Sequence, residues 1–381
     1  LAAAPKGPNY EGLRSMGMGN TTVAVTTDRT AIFHNPAGLG LLRDKLDISF
    51  RPLIFAFDGS FFSYLRFLNQ HKDEFSDFNS IQPSTIDDLA TIEGKWAGFE
   101  YIPELTIAKK NLGIGIYSTF PVRTRVETGH FIPKLGFSGQ GDFVATWAVG
   151  IPLRHETNTL GLSIEYFQRQ PLEERITTFS ETTIYSDELK TRPLGILGDF
   201  ADVQHGASFD IGMMKNIKGF RLAYTMKDLF GVVGGKMIVP QLDLGAAFYF
   251  PAIEKVAFIR NIILATEISD IWGFEERTGK YEHFVKKLHL GAEIDLKYVA
   301  LRGGINQGYP TFGIGIVGGP VVLDYVYFTK EDGYYPGQLP RSQHVFSAGI
   351  ALIVGDGKKA KEGTPEVEPA VVPTSDVPDS T

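Results

Sequence analysis

Histidine is the side chain most suited to binding metal or moving protons near neutral pH, and this chain has eight of them: His34, His71, His130, His155, His205, His283, His289 and His344. They are scattered. None stands in an H-E-x-x-H or comparable ligand spacing, and no serine occupies a G-x-S-x-G elbow. There is no cysteine, which excludes disulfides and thiolate metal sites. Spacing alone does not exclude an enzyme that gathers its residues from separate strands. Gly313-Ile314-Gly315-Ile316-Val317-Gly318 carries the three spaced glycines of a dinucleotide site. Such a site needs a helix directly afterwards, its N-terminus facing the pyrophosphate. Here Gly319-Pro320 and another strand-like run follow, so the glycines read as small residues on one strand face. Glu173, Glu174, Glu181, Asp187 and Glu188 make one stretch acidic, which solvated loop carboxylates explain. No catalytic residue, metal or cofactor is expected.

Two stretches carry backbone signals instead. Gly17 to Leu42 is small, Gly-rich and broken by Asn35-Pro36-Ala37-Gly38. Thr21 to Val25 reads as a short strand. Thr27 or Asp28 can cap a short helix that must stop at His34, because a residue before proline is pushed out of the α region. Gly38 and Gly40 allow a tight turn, and Asn35 can hydrogen-bond nearby backbone. The second signal is Pro121, inside an otherwise continuous strand pattern. Proline removes a ladder donor, so Pro121 marks either the end of a strand at a rim or a bulge that opens a gap.

The elements that must position these stretches are strands. Phe143, Ala145, Trp147, Val149 and Ile151 alternate with Val144, Thr146, Ala148 and Gly150, the period of a strand with two different faces. The pattern recurs in fourteen runs, near 46–57, 99–110, 112–121, 141–151, 159–170, 205–215, 219–228, 240–250, 258–270, 286–296, 298–307, 310–318, 320–329 and 342–354. One face is large and apolar, the other small or polar. A soluble sandwich and a membrane barrel both allow this, but in a barrel the large face meets lipid. Connections decide between them. They alternate long (58–98, 122–140, 171–204) and short (110–111, 152–158, 216–218), as in an outer-membrane barrel with external loops and periplasmic turns. Gly308-Tyr309 and 251–257 fit this less well. In the first long connection, Ser84 is the expected N-cap of a helix.

Composition agrees. Of 381 residues, 43% are apolar and 12% aromatic, and the net charge of −7 comes with no basic tract, so nucleic-acid binding is not expected. No apolar run approaches the roughly 18 residues of a transmembrane helix. Lipid admits only helices and closed barrels. The opening Leu1-Ala2-Ala3-Ala4-Pro5 looks like the end of a secretory signal; the alternative is an arbitrary starting point. Beyond Val354 the Pro/Val/Glu-rich stretch reads as disordered.

Gly17-Met18-Gly19 through Ala31-Ile32-Phe33-His34-Asn35-Pro36-Ala37-Gly38-Leu39 resembles the N-terminal hatch of FadL-type outer-membrane transporters, and more nearly that of their PorV-type relatives. Leu288 to Glu293, Ala300 to Gly308 and Asp324 to Tyr327 also resemble the PorV type. His34 departs from the aromatic residue common there. Ser347-x-Gly349-x-x-Leu352-x-Val354 resembles the insertion signal of a last strand, with aliphatics for the usual aromatic. The resemblance implies an all-β, fourteen-stranded antiparallel transmembrane barrel (45–354) closed by an N-terminal plug (1–44); the acidic tail (355–381) departs from the family, whose barrels commonly end at their last strand. It implies a bacterial outer-membrane location with membrane lipids around the wall, and the even strand number is expected to put both termini on the periplasmic side. Two functions follow from it. One is a channel for fatty-acid-like hydrophobic molecules, with Asn35, Pro36, Ala37 and Gly38 shaping the gate and Pro121 marking the wall gap. The other is a docking component of a protein-secretion system, using a periplasmic or secretion partner.

Overall fold

A computed structural model describes residues 5–42, 44–71, 74, 82–128, 133–153, 157–178, 203–251, 259–272, 283–296 and 298–354. The acidic tail and the carboxylates Glu181, Asp187 and Glu188 lie outside the described residues. Among the described residues, sixteen strand segments form one antiparallel sheet. Two of these lie end to end as a single wall strand, and one is a two-residue stub, Lys236–Met237, so the wall has fourteen strands. They are β1 (Leu46–Asp58), β2 (Trp96–Tyr101 and Glu104–Lys109), β3 (Leu112–Thr128), β4 (Pro133–Leu153), β5 (Asn158–Thr178), β6 (Gln204–Ile217) and β7 (Phe220–Val233). Then follow β8 (Gln241–Pro251), β9 (Ile259–Ile268), β10 (Leu288–Leu296), β11 (Val299–Asn306), β12 (Tyr309–Gly318), β13 (Val321–Glu331) and β14 (Pro340–Val354). Each pairs with the next, and β1 pairs with β14 from Leu46↔Val354 to Asp58↔Gln343. The barrel is closed, which leaves no edge with unpaired backbone groups.

The two faces part as their chemistry requires. Phe143, Trp147, Val149 and Ile151 are exposed on the outside, while Val144, Thr146 and Ala148 are buried within. Gly313 and Gly315 face inward, between Gly17 and the Arg302–Asp324 pair, whereas Gly318, the third of the dinucleotide-like glycines, is exposed at the strand's end with open space around it. No helix among the described residues is long and apolar enough to cross a membrane.

Three expectations need correction. The connection between the third and fourth strands is not long: β3 runs on through Pro121 to Thr128 and β4 begins at Pro133. The long-loop helix begins at Pro83, preceded by Gln82, and Ser84 lies inside it. Proline suits a first helical position, where its missing N–H is no loss. Finally, Thr21–Val25 is a turn, for a reason given below.

The helices are α1 (Leu13–Gly17), α2 (Ala31–His34), α3 (Phe61–Gln70) and α4 (Pro83–Ile92). The first two belong to a segment that fills the lumen. At four and five residues they are too short to persist alone; packing holds them. Ile32, Phe33 and Leu39 pack with Ala108, Tyr117, Val144 and Ala148 of the wall, and Met18, Val23, Val25 and Ala37 with Met214, Ala223 and Ala247. The wall's two ends meet at the short-turn end, as an even strand number requires. The start of the described chain is elsewhere. Lys6 O accepts from Arg169 Nη1 at 2.6 Å, and Pro5 O accepts from Val239 N at 3.4 Å, near the long-loop end. Strand parity governs only the wall, and the leading segment is free to run up the lumen.

Candidate functional site

The Asn35-Pro36-Ala37-Gly38 stretch is fully enclosed. Asn35 is extended (φ −146°, ψ 100°), as a residue before proline must be, and α2 ends at His34. Its Oδ1 accepts from Ala37 N at 3.1 Å, and its Nδ2 donates to Val23 O at 2.9 Å and to Tyr224 O of β7 at 3.4 Å. Pro36 opens a 3-10 turn through Leu41. The wall receives this turn at positions without side chains. A Cβ on Gly161 would lie 1.9 Å from Ala37 N, and one on Gly212 would lie 2.0 Å from Asn35 Oδ1. Gly38 and Gly40 lie within this tight turn, and neither uses the positive φ that glycine permits. Gly38 is needed for contact, since its Cβ would sit 2.1 Å from Thr26 O.

Charged wall residues complete the seat. Arg14 pairs with Glu293 (2.7 Å) and Asp28 (3.1 Å). Glu293 also holds Arg302, which pairs with Asp324, itself paired to Arg51. Glu267 Oε2 accepts from both Thr22 N (2.6 Å) and Val23 N (2.8 Å). Successive amides aimed at one oxygen form a nest, whereas in a strand they point to opposite edges, so Thr21–Val25 cannot be a strand. Arg221 and Tyr249 both donate to Ala24 O, at 3.0 and 2.9 Å. Sequence reasoning missed these residues. Their signal was available, for Glu267, Glu293, Arg302 and Asp324 are charges on the small, inward face of strands. His34 is buried, its Nε2 without a hydrogen-bond partner among the described residues, beside the ring of Tyr10 at 5.3 Å.

Pro121 lies farther up the wall, apart from the Asn35–Gly38 turn. Between Thr119↔Asp142 and Arg123↔Ser138 the β3–β4 ladder keeps its register but lacks three pairs, opposite Phe120-Pro121-Val122. Pairing to β2 continues, Glu100↔Pro121 included. The irregularity spans neighbouring strands: β2 is split at Ile102-Pro103, and β1 shifts register against β14 around Arg51-Pro52. Each contains a proline, which has no N–H to give the ladder. Inside, a small cavity is lined by Tyr10, Met16, Ile102, Tyr117 and Thr119, with polar Asn9, Glu11, Glu100 and Gln343. Tyr10 bridges the two regions. Its hydroxyl donates to Glu104, and its ring lies 4.3 Å from that of Phe33 and 5.0 Å from that of Tyr117.

Fold and site together define a closed antiparallel barrel whose N-terminal segment is seated in the lumen. Among solved structures, the chain shares this fold with a mutant of the TodX monoaromatic hydrocarbon channel (TM-score 0.51, 11% identity, 91% of this chain and 99% of that one). Also similar are the Ralstonia pickettii toluene transporter TbuX (TM-score 0.49, 14% identity, 91% and 98%) and the Pseudomonas putida toluene transporter TodX (0.45, 11%, 93% and 100%). No protein-family model and no curated protein matches the chain.

Proposed function

We propose that this protein is an outer-membrane channel through which hydrophobic small molecules enter the lumen from outside, meet the N-terminal plug and leave sideways through the wall between β3 and β4. One observation carries the reading: the lumen cavity at Tyr117 and Thr119 adjoins the place where three β3–β4 pairs are missing beside Pro121. A molecule leaving there passes from the cavity to the apolar outer face at Phe120 and Val122, without crossing the plug. The plug turn Asn35–Gly38 then serves as the gate's seat. In this orientation the long loops are external, and the short turns, with both ends of the wall, are periplasmic. The TodX channel that shares the fold takes monoaromatic hydrocarbons, so ring compounds join fatty-acid-like chains as candidate ligands. The test is uptake of a labelled fatty acid and of toluene by proteoliposomes. Passage that falls when residues 120 and 141 are replaced by cysteine and cross-linked supports the route; passage unchanged by a verified cross-link overturns it.

A second reading, docking of a secretion partner as in PorV-type proteins, is favoured by the polarity of the inner face. Glu165, Asp210, Asp243, Glu267, Glu293 and Asp324 are all buried there, an unusual lining for a hydrophobic route. Mass spectrometry of the purified protein separates the two: bound lipid-like molecules support transport, and co-purifying protein with an empty lumen supports docking.

A further inference from the structure

The helices of the first long loop do not stand above the barrel; they lie against its outer wall. Ala56 faces the lumen, packed with Leu13 and Met16 of the plug, so its neighbour Phe57 points outward. Phe57 is paired with Phe99, which therefore also points outward, as does Ala97 two residues earlier. Yet Ala97 is only 1% exposed, because Tyr64 and Phe67 of α3 and Leu89 and Ile92 of α4 cover it. The helix pair is thus folded onto the outside of β2.

α3 has a third side. Phe62 is 59% exposed and Leu65 47%; with Phe61 they form one flank of the helix, which turns polar at Asn69 in its last turn, while Arg66, Gln70 and Ser63 form the other. The apolar flank continues the barrel's outer surface. The ring of Phe57 lies 5.2 Å from Phe61, 6.0 Å from Phe62 and 6.3 Å from Phe346, and Phe61 lies 6.3 Å from Phe99. These rings sit at the long-loop end of β1, β2 and β14, where a barrel carries its interfacial aromatic girdle.

We propose that α3 is a membrane-surface helix: it lies in the lipid interface beside β1 and β2, with Phe62 and Leu65 in the boundary between headgroups and acyl chains. The occupant is lipid because the apolar flank is continuous with the outward face of the wall. An amphipathic helix at that height buries its apolar side in the acyl boundary, and Arg66 on the other flank reaches headgroup phosphates. The inference rests on the reading of the wall as membrane-spanning.

The absence of native cysteine makes the test clean. Single variants Phe62→Cys, Leu65→Cys, Ser63→Cys and, on the mid-wall, Trp147→Cys are spin-labelled. The full chain is reconstituted into phosphatidylethanolamine–phosphatidylglycerol vesicles, and collisions with oxygen and with a water-soluble nickel chelate are compared. Labels at 62 and 65 are expected to show several-fold less nickel access and more oxygen access than the label at 63, approaching the label at 147. A protected position 147 with 62 and 65 as open to nickel as 63 overturns the interfacial helix. A position 147 open to nickel overturns the membrane reading itself.

Discussion

Arg14 of the plug grips Glu293 of β10 with two nitrogens, Nε at 2.9 Å from Oε2 and Nη2 at 2.7 Å from Oε1. Glu293 is almost wholly enclosed, whereas Arg14 keeps 17% of its side-chain surface. Arg14→Leu removes one of two cations from a buried carboxylate and leaves Asp28 without its 3.1 Å partner. Breaking a buried pair costs about 3–5 kcal/mol, and the lower end applies because Arg302 still holds Glu293. The wall's ladder is untouched. The expected outcome is a barrel with unchanged thermal unfolding whose plug is cut faster by protease and whose planar-bilayer conductance rises. An unchanged digestion rate would mean that the ion pair does not anchor the plug.

Asn35→Ala tests the turn that the wall receives. It leaves the N–H of Ala37 and the carbonyl of Val23 without the partners they have in Asn35, at about 1–3 kcal/mol for each buried group left unsatisfied. Insertion and strand content should persist, while permeability to hydrophobic compounds changes. A folded variant with the parent's permeability would reduce the motif to scaffolding.

What the sequence made legible follows from which forces are local. Alternation along 143–151 is visible because each strand is sorted between an apolar outside and a small, polar inside, residue by residue. The stop of α2 at His34 is equally local, set by Pro36. The rim of β3 was hidden. Pro121 reads either as a strand end or as a bulge, and β3 continues past it because pairing to β2 holds on its other side, from Tyr101↔Phe120 to Trp96↔Arg125. The turn at Thr21–Val25 was hidden too, since the carboxylate that shapes it, Glu267, lies over two hundred residues away. The Asn35–Gly38 motif stood out, but its glycine partners Gly161 and Gly212 looked like any small residues on a strand.

Those wall glycines give a contrast with a clear sign. A methyl group at Gly161 must displace backbone, since its Cβ would lie 1.9 Å from Ala37 N and 2.2 Å from Pro36 C. At Gly318, the end of β12, a Cβ would meet nothing within 4 Å. Overpacking costs about 1–3 kcal/mol, here borne by the seat of the plug. Gly161→Ala should raise conductance and protease access to the plug, and Gly318→Ala should match the parent in both assays. Equal behaviour of the two variants would show that the plug turn is not seated at β5.

The α3–α4 pair carries a pH-sensitive clasp. His71, at the end of α3, sets Nδ1 3.0 Å from Glu74 and Nε2 3.0 Å from Asp88 of α4. Hydrogen bonding to Glu74, opposed by desolvation and helped by Asp88, raises the His71 pKa above its ordinary 6.5. Bonds from His71, Thr85 and the Gln82 amide lower that of Glu74 from 4.5 to about 2. The signs differ. The raised histidine contributes stability that is complete below 6.5 and is lost as pH rises through its folded value; the lowered glutamate contributes stability that is complete above 4.5 and is lost as pH falls toward about 2. The helix pair should therefore hold best between about pH 4.5 and 6.5 and loosen on either side. Amide hydrogen exchange of 83–92, corrected for intrinsic rates, measures it. His71→Gln should abolish the alkaline rise in exchange, and a rise that survives in that variant would assign it to another group.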